Sequence, residues 1–153
     1  MLFYFIAVAV VLIDQGTKIA IRYHLEINET YSLWGMPLTH IENAGMAGGL
    51  LQGYARLFGV LAVLFVAVVL YSRQSGMFKG SLYDIGLSFL VGGALGNGID
   101  RLLFGRVTDF LVSRNGNGVL NMADHAIEIG VALFVIRMAI QWLKERFGRR
   151  CPA

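Results

Sequence analysis

Charge is scarce in this chain, proline rare and cysteine almost missing: 15% of its 153 residues are charged, two are proline and one is cysteine, while 56% are hydrophobic. So little charge at a mean hydropathy of +0.62 excludes an ordinary soluble domain and points to a polytopic membrane protein. The single cysteine, Cys151, excludes an internal disulfide and reads as incidental in a basic tail. A net charge of +3 does not signal nucleic acid, because the basic residues form no stripe and no run interleaved with aromatics. P-loop, dinucleotide-fold glycine and nucleophile-elbow patterns are missing, and His24, His40 and His125 lack metal-ligand spacing, so neither metal nor other cofactor is expected. The apolar N-terminal run has no basic leader and no A-x-A-like cleavage site, which predicts a retained first span.

What is present is long apolar runs. Four of them, at approximately 2–21, 54–72, 81–101 and 125–143, approach the roughly 20 residues that cross the hydrocarbon core as a helix. The prediction is an all-α integral membrane fold, one domain over 1–153, with a small extracytoplasmic β-like or loop region between helices 1 and 2. In that region an alternating run from Leu38 to Asn43 suits pairing as strands, and Tyr31 and Trp34 suit the headgroup layer. The raw basic count does not orient the chain. Density does: Arg73 and Lys79 in a short loop, and Lys144, Arg146, Arg149 and Arg150 in the tail, put both termini inside. Arg137 reads as a structural, snorkelling residue near the inner interface.

The second span is polar-free, whereas the other three each carry polar residues toward the same, outer end. Asp14 and Lys18 are four apart and share a helix face. Thirteen apolar residues before Asp14 span only about 20 Å, so the carboxylate lies at outer-leaflet depth and needs a partner. In the third span Gly93, Gly96, Asn97, Asp100 and Arg101 form a small-residue stripe leading into three polar side chains, overlapping a Gly92-x-x-x-Gly96 close-packing pattern. Asn121-Met122-Ala123-Asp124 precedes the fourth span as a capping box, with Asn121 as N-cap and Asp124 favoured in its ionised form by the helix start. Asp109, among Val107, Phe110 and Leu111, has apolar neighbours that favour protonation. Two carboxyls held in such different surroundings meet the needs of an aspartic peptidase dyad, one base and one acid. Spacing alone equally allows a helix cap plus a solvated loop acid. An ion- or proton-coupled transporter with a relay of Asp14, Asp100 and Asp124 is the rival from another class, and a non-enzymatic assembly subunit using the glycine stripe is a third reading.

Five segments in order resemble the lipoprotein signal peptidase (signal peptidase II) family. Asp14-Gln15-Gly16-Thr17-Lys18 is similar to its DQxxK segment, Asn43-Ala44-Gly45-Met46-Ala47 to N-x-G-x-A, and Gly92 to Arg101 to GGAxGNxxDR. Val107-Thr108-Asp109-Phe110 is similar to V-x-D-F and Asn121-Met122-Ala123-Asp124 to N-x-A-D. The resemblance runs over nearly the whole chain. It departs at Gly48, where the family has an aromatic residue, and in a short glycine-rich loop between the two aspartates. The resemblance implies a bacterial inner-membrane aspartic endopeptidase with Asp109 and Asp124 as its catalytic pair. It further implies that Asp14, Lys18, Asn43, Gly45, Asn97, Asp100, Arg101, Asn121 and Ala123 shape the site or support the substrate. That substrate would be a prolipoprotein bearing a diacylglyceryl cysteine, met among membrane lipids near the outer leaflet and cut on the amino side of that cysteine.

Overall fold

A computed structural model describes residues 1–45, 50–113 and 118–147. The expectations attached to Gly48, to the middle of the inter-aspartate loop, to Arg149 and Arg150, and to Cys151 lie outside the described residues. Elements follow in the order α1 (Leu2–His24), β1 (Thr30–Leu33), β2 (Met36–Asn43), α2 (Ala55–Gln74), α3 (Ser81–Phe104), β3 (Val107–Val112), β4 (Val119–Leu120) and α4 (Met122–Phe147). All four helices are long and apolar enough to cross a membrane. Each extends to or past its expected end, because the polar residues that close the apolar runs continue the helix instead of breaking it.

The central helix is α3, which packs against each of the other three. Small residues make this possible. A Cβ built on Gly92 would lie 2.7 Å from Val10 Cβ of α1, and one on Gly93 would lie 2.5 Å from the Ala123 carbonyl oxygen of α4. Gly98 faces Ala62 of α2, and Gly86 and Gly130 face one another across α3 and α4. Van der Waals packing of this kind, not apolar burial, joins helices whose outer faces already meet lipid-like surroundings. At the other end of the bundle Phe3, Ala7, Val66, Val69, Leu87 and Val91 form the apolar core. The second span exposes Leu57, Leu61, Leu64 and Val68, as expected of a helix with a lipid-facing side.

The β-like region is larger than expected and is not confined to the connection between the first two helices, so the chain is not all-α. A four-stranded antiparallel sheet, ordered β1-β2-β3-β4, draws its second half from the connection between α3 and α4. Sequence alternation did not expose β3, because Val107, Thr108, Asp109 and Phe110 are all buried and no polar face interrupts the run. The β1–β2 hairpin turns through Trp34 and Gly35, both at positive φ, the two-residue geometry that suits the twist of paired strands. Leu38 faces Leu111 while Ile41 faces Asp109, so β2 carries an extra residue, a bulge. Beside it the His40 ring bonds to the Leu25 carbonyl oxygen (2.8 Å) and the Glu42 carboxylate (3.0 Å), fastening the sheet to the end of α1.

Two caps set where β3 and α4 begin. Gly105, at φ 68°, closes α3 in the left-handed conformation and turns the chain straight into β3. At α4, Asn121 Oδ1 accepts the Asp124 N–H (3.0 Å) while the Asn121 N–H donates to Asp124 Oδ2 (3.1 Å), the reciprocal capping box.

Replacing Gly93 by alanine pushes α3 away from the backbone of α4 and lowers unfolding stability by about 1–3 kcal/mol. Gly16→Ala, on α1 with nothing within 4 Å of the new methyl group, raises it by up to about 1 kcal/mol. Thermal unfolding of both variants in one detergent distinguishes a close-packed stripe from a merely glycine-rich helix; equal melting would show that the stripe does not set the packing.

Candidate active site

The polar residues of α1 and α3 meet at one end of the bundle in a buried ion cluster. Lys18 Nζ lies 2.9 Å from Asp14 Oδ2 and 3.4 Å from Asp100 Oδ2, and all three side chains have no solvent exposure. Arg22, one further helical turn along, reaches Asp100 Oδ1 at 2.8 Å and balances the second carboxylate. Gln15 ties the two acids together, its Nε2 donating to Asp14 Oδ2 (3.2 Å), Asp100 Oδ1 (3.2 Å) and the Gly96 carbonyl (3.0 Å). Isolated carboxylates here would be strongly unfavourable, and removing one partner of such a pair typically costs about 3–5 kcal/mol.

Each of these acids uses an oxygen to hold a backbone beside another aspartate. Asp14 Oδ1 accepts the N–H of Ala123, the residue before Asp124, at 2.8 Å. Asp100 Oδ2 accepts the N–H of Thr108, the residue before Asp109, at 3.2 Å. The start of α4 and the start of β3 are thus fixed to the same lysine-centred cluster. Ala123, fully buried, sits where a larger side chain would meet α3: a Cβ on Gly96 would already be 3.2 Å from its own.

Three amides then carry hydrogen-bond polarity from that cluster to Asp109 and Asp124. Lys18 can only donate, so Asn97 must turn its Oδ1 to Nζ (2.8 Å), which leaves its Nδ2 to donate to Asp124 Oδ1 (2.8 Å). The Asp124 N–H fixes Asn121 Oδ1 in the same way, and its Nδ2 donates to Asp109 Oδ1 (2.6 Å) and Asn97 Oδ1 (3.1 Å). On the far side the Gly45 N–H donates to Asn43 Oδ1 (3.0 Å), so Asn43 Nδ2 faces Asp109 Oδ2 (3.2 Å). Gly45 is required there, since a Cβ would collide with the Leu50 carbonyl oxygen.

The two carboxyls differ in setting. Asp124 is half-buried at the helix start, while Asp109 is 4% exposed. Burial, and next the negative charge of Asp124, push the Asp109 carboxyl up to about 6, against the pull of the Asn121 and Asn43 hydrogen bonds and of Lys18. Arg101 Nη2 donates to the Gly45 carbonyl (3.3 Å), and its Nε is buried with no hydrogen-bond partner among the described residues. Beyond Asp124 and Arg101 runs an apolar groove of about 410 Å³, floored by Leu90, Ala94 and Asn97 of α3 and walled by Phe58 and Phe65 of α2 and Ile127 of α4.

All eleven residues singled out in the sequence therefore converge on one cluster. Sequence reasoning missed Gln15, Arg22 and Thr108 as members. Arg22 lies four residues beyond Lys18 as Lys18 lies four beyond Asp14, so the same i, i+4 ladder pointed to it. Thr108 Oγ1, which accepts from Arg22 Nε (2.7 Å) and donates to Glu42 (3.1 Å), had no such signal, because it depends on the pairing of β2 with β3.

The family Signal peptidase (SPase) II matches residues 6–140. A lipoprotein signal peptidase of Shouchella clausii (strain KSM-K16) is 35% identical over 150 residues, covering 96% of this chain and 99% of that protein. One from Listeria monocytogenes serotype 4a (strain HCC23) is 32% identical over 155 residues, covering 95% and 98%. Among solved structures, a bacterial membrane enzyme determined by the in meso method at 2.3 Å resolution superposes with a TM-score of 0.85 at 29% identity, covering 99% of this chain and 93% of that one. A second, determined by the same method at 1.9 Å resolution, gives a TM-score of 0.80 at 31% identity, covering 89% and 91%. The chain belongs to the signal peptidase II family, the membrane aspartic peptidases that its two differently buried aspartates resemble.

Proposed function

We propose that this protein is the endopeptidase that removes the signal peptide from diacylglyceryl-modified prolipoproteins, cutting on the amino side of the lipidated cysteine, with Asp109 and Asp124 as the catalytic pair. The observation that carries the assignment is the bracket formed by Asn121, whose Nδ2 donates to the buried Asp109 carboxyl on one side and whose backbone N–H donates to the Asp124 carboxyl at the start of α4 on the other. In the reacting complex Asp124 removes a proton from water as the oxygen attacks the scissile carbonyl carbon, and Asp109 gives its proton to the carbonyl oxygen. Collapse of the resulting diol breaks the C–N bond. Asp124 delivers its proton to the departing amine and Asp109 recovers one from the diol, which restores both groups.

Supporting roles follow from position. The apolar groove receives the hydrophobic segment of the signal peptide, so the bond reaches the dyad at membrane depth without leaving the bilayer. Arg101, with an unpartnered Nε at the end of that groove, donates to a substrate carbonyl. A scissile bond brought from the groove to the pair displaces water from between the two carboxyls, which favours the protonated form of Asp109. Asn97, Asn121 and Asn43 orient the carboxyls; Asp14, Lys18, Asp100, Gly45 and Ala123 hold the segments that bear them. The whole of 1–153 acts as one domain in a bacterial membrane, with both termini on the cytoplasmic side and the site near the outer leaflet, no cofactor being called for.

Purified protein with a lipidated prolipoprotein releases the signal peptide, and Asp109→Asn and Asp124→Asn each lower the cleavage rate by at least about 10³-fold, within the range for loss of an acid–base group. Cleavage at wild-type rate by both variants would overturn the assignment of the pair.

Stability carries a separate signature. Because the folded protein binds a proton at Asp109 up to about pH 6 and the unfolded chain only up to about 3.9, the stability associated with this group is greatest at low pH. It declines as pH rises from about 4 to 6, with a total change on the order of 3 kcal/mol. Wild type in detergent therefore melts higher at pH 5 than at pH 7, and Asp109→Asn lacks that increment. An identical pH slope in the two proteins would show that Asp109 does not retain its proton in the folded state.

A further inference from the structure

The opposite end of the bundle holds a second polar pocket, far from the dyad. Seventeen residues of α3 separate Tyr83, which lines it, from Asp100, about 25 Å at the helical rise. The pocket has a volume of about 680 Å³ and lies between the α2–α3 loop and the last turns of α4. Three cations face it, Lys79 from the loop and Arg137 and Lys144 from α4, against a single acid, Glu145, whose carboxylate already accepts from Gln141 Nε2 at 3.1 Å.

Lys18, Arg22 and Arg106 near the dyad, and Arg73 at the end of α2, each have a carboxylate within ion-pair distance, whereas Lys79, Arg137 and Lys144, like Arg101, have none among the described residues. The nearby Asp84 is engaged by Arg73 at 2.8 Å. Arg137 is held in place all the same. Its guanidinium lies over the Tyr83 ring, 5.1 Å from the centroid, and against Gly80, where a Cβ would sit 3.8 Å from Nε. Gly80 is also the N-cap of α3 and contributes no side-chain cap. A guanidinium is thus fixed beside the positive end of a 24-residue helix whose first-turn acid, Asp84, is taken up by Arg73, a placement that a further anion would stabilise.

We infer that this pocket binds the phosphate of an anionic phospholipid. Basic pockets between spans at the membrane interface suit such headgroups, and the surroundings favour a lipid over free phosphate. The pocket adjoins the ends of apolar spans, with Phe78, Tyr83 and Phe134 packed together below it. Met77, which lines the pocket, is exposed and offers apolar surface beside the cations. The inference rests on the four helices spanning a bilayer and is independent of the chemistry at Asp109 and Asp124.

The test is a titration of the full-length protein in zwitterionic phosphatidylcholine nanodiscs of increasing phosphatidylglycerol content, read by thermal unfolding, with inorganic phosphate in a parallel arm. Wild type is stabilised saturably by phosphatidylglycerol and unaffected by millimolar phosphate. In Arg137→Gln/Lys144→Gln the half-saturating lipid fraction rises at least about tenfold, for a loss of about 1.4 kcal/mol or more, while melting in pure phosphatidylcholine and prolipoprotein cleavage there stay as in wild type. Should that variant melt early, Lys79→Gln/Lys144→Gln, which leaves the Arg137–Tyr83 contact intact, replaces it with the same expectation. An unchanged half-saturation would reduce these cations to signals of chain orientation, and equal protection by inorganic phosphate would overturn the lipid as ligand.

Discussion

The Lys18 ammonium, buried between Asp14 and Asp100, is the interaction on which the active end of the molecule depends. A lone lysine at that depth would be too costly to keep charged, and two lone aspartates costlier still. Together with Arg22 they form a balanced set of two cations and two anions. Their remaining oxygens then act on the backbone: Asp14 fixes the peptide before Asp124, and Asp100 the peptide before Asp109. Asp109 and Asp124 are in this way both referred to one ion cluster between α1 and α3. The geometry of the proposed pair becomes a property of the helix bundle.

From that point outward, donors and acceptors alternate without freedom to reverse. Lys18 sets the orientation of Asn97, the α4 cap sets that of Asn121, and the Gly45 N–H sets that of Asn43. Among the described residues, Asp109 and Asp124 consequently each accept one protein donor on each oxygen. What distinguishes the two carboxyls is burial. Asp124 stands half-buried at the start of α4, and Asp109, 4% exposed, stands within buried β3. The raised proton affinity of Asp109 comes first from that burial and next from the charge of Asp124.

Several parts of this arrangement were legible before any coordinates. The i, i+4 pairing of Asp14 with Lys18, the small-residue stripe of α3 and the capping box of α4 are local regularities, and each appears as read. What the residues alone leave open, between a dyad and a cap with a loop acid, turns on contacts across 12 to 109 positions of sequence, such as Asn121 to Asp109 and Ala123 to Asp14, which no local pattern encodes. The sheet was half-read for the same reason in reverse. β2 alternates and faces solvent in part, so it shows in the sequence, whereas β3 is buried on both faces and looks like the continuation of a membrane span.

The identity of the cap at 121 makes the coupling between folding and chemistry concrete. Serine or threonine would begin α4 about as well as asparagine does. A hydroxyl, however, has one proton, and at 121 the side chain must accept the Asp124 N–H and also donate to Asp109 and to Asn97. Only an amide combines an acceptor with two donors in a fixed plane. Aspartate would cap the helix too, but would bring a third carboxylate to within hydrogen-bond distance of Asp109 and repel it. The acid three residues on is constrained as well: a carboxylate at 124 with one more methylene could still complete the capping box, yet would move its oxygens relative to Asn97 and Asp109. The segment that starts the helix is therefore the segment that orients both carboxyls of the proposed pair, and neither task can be altered there without the other.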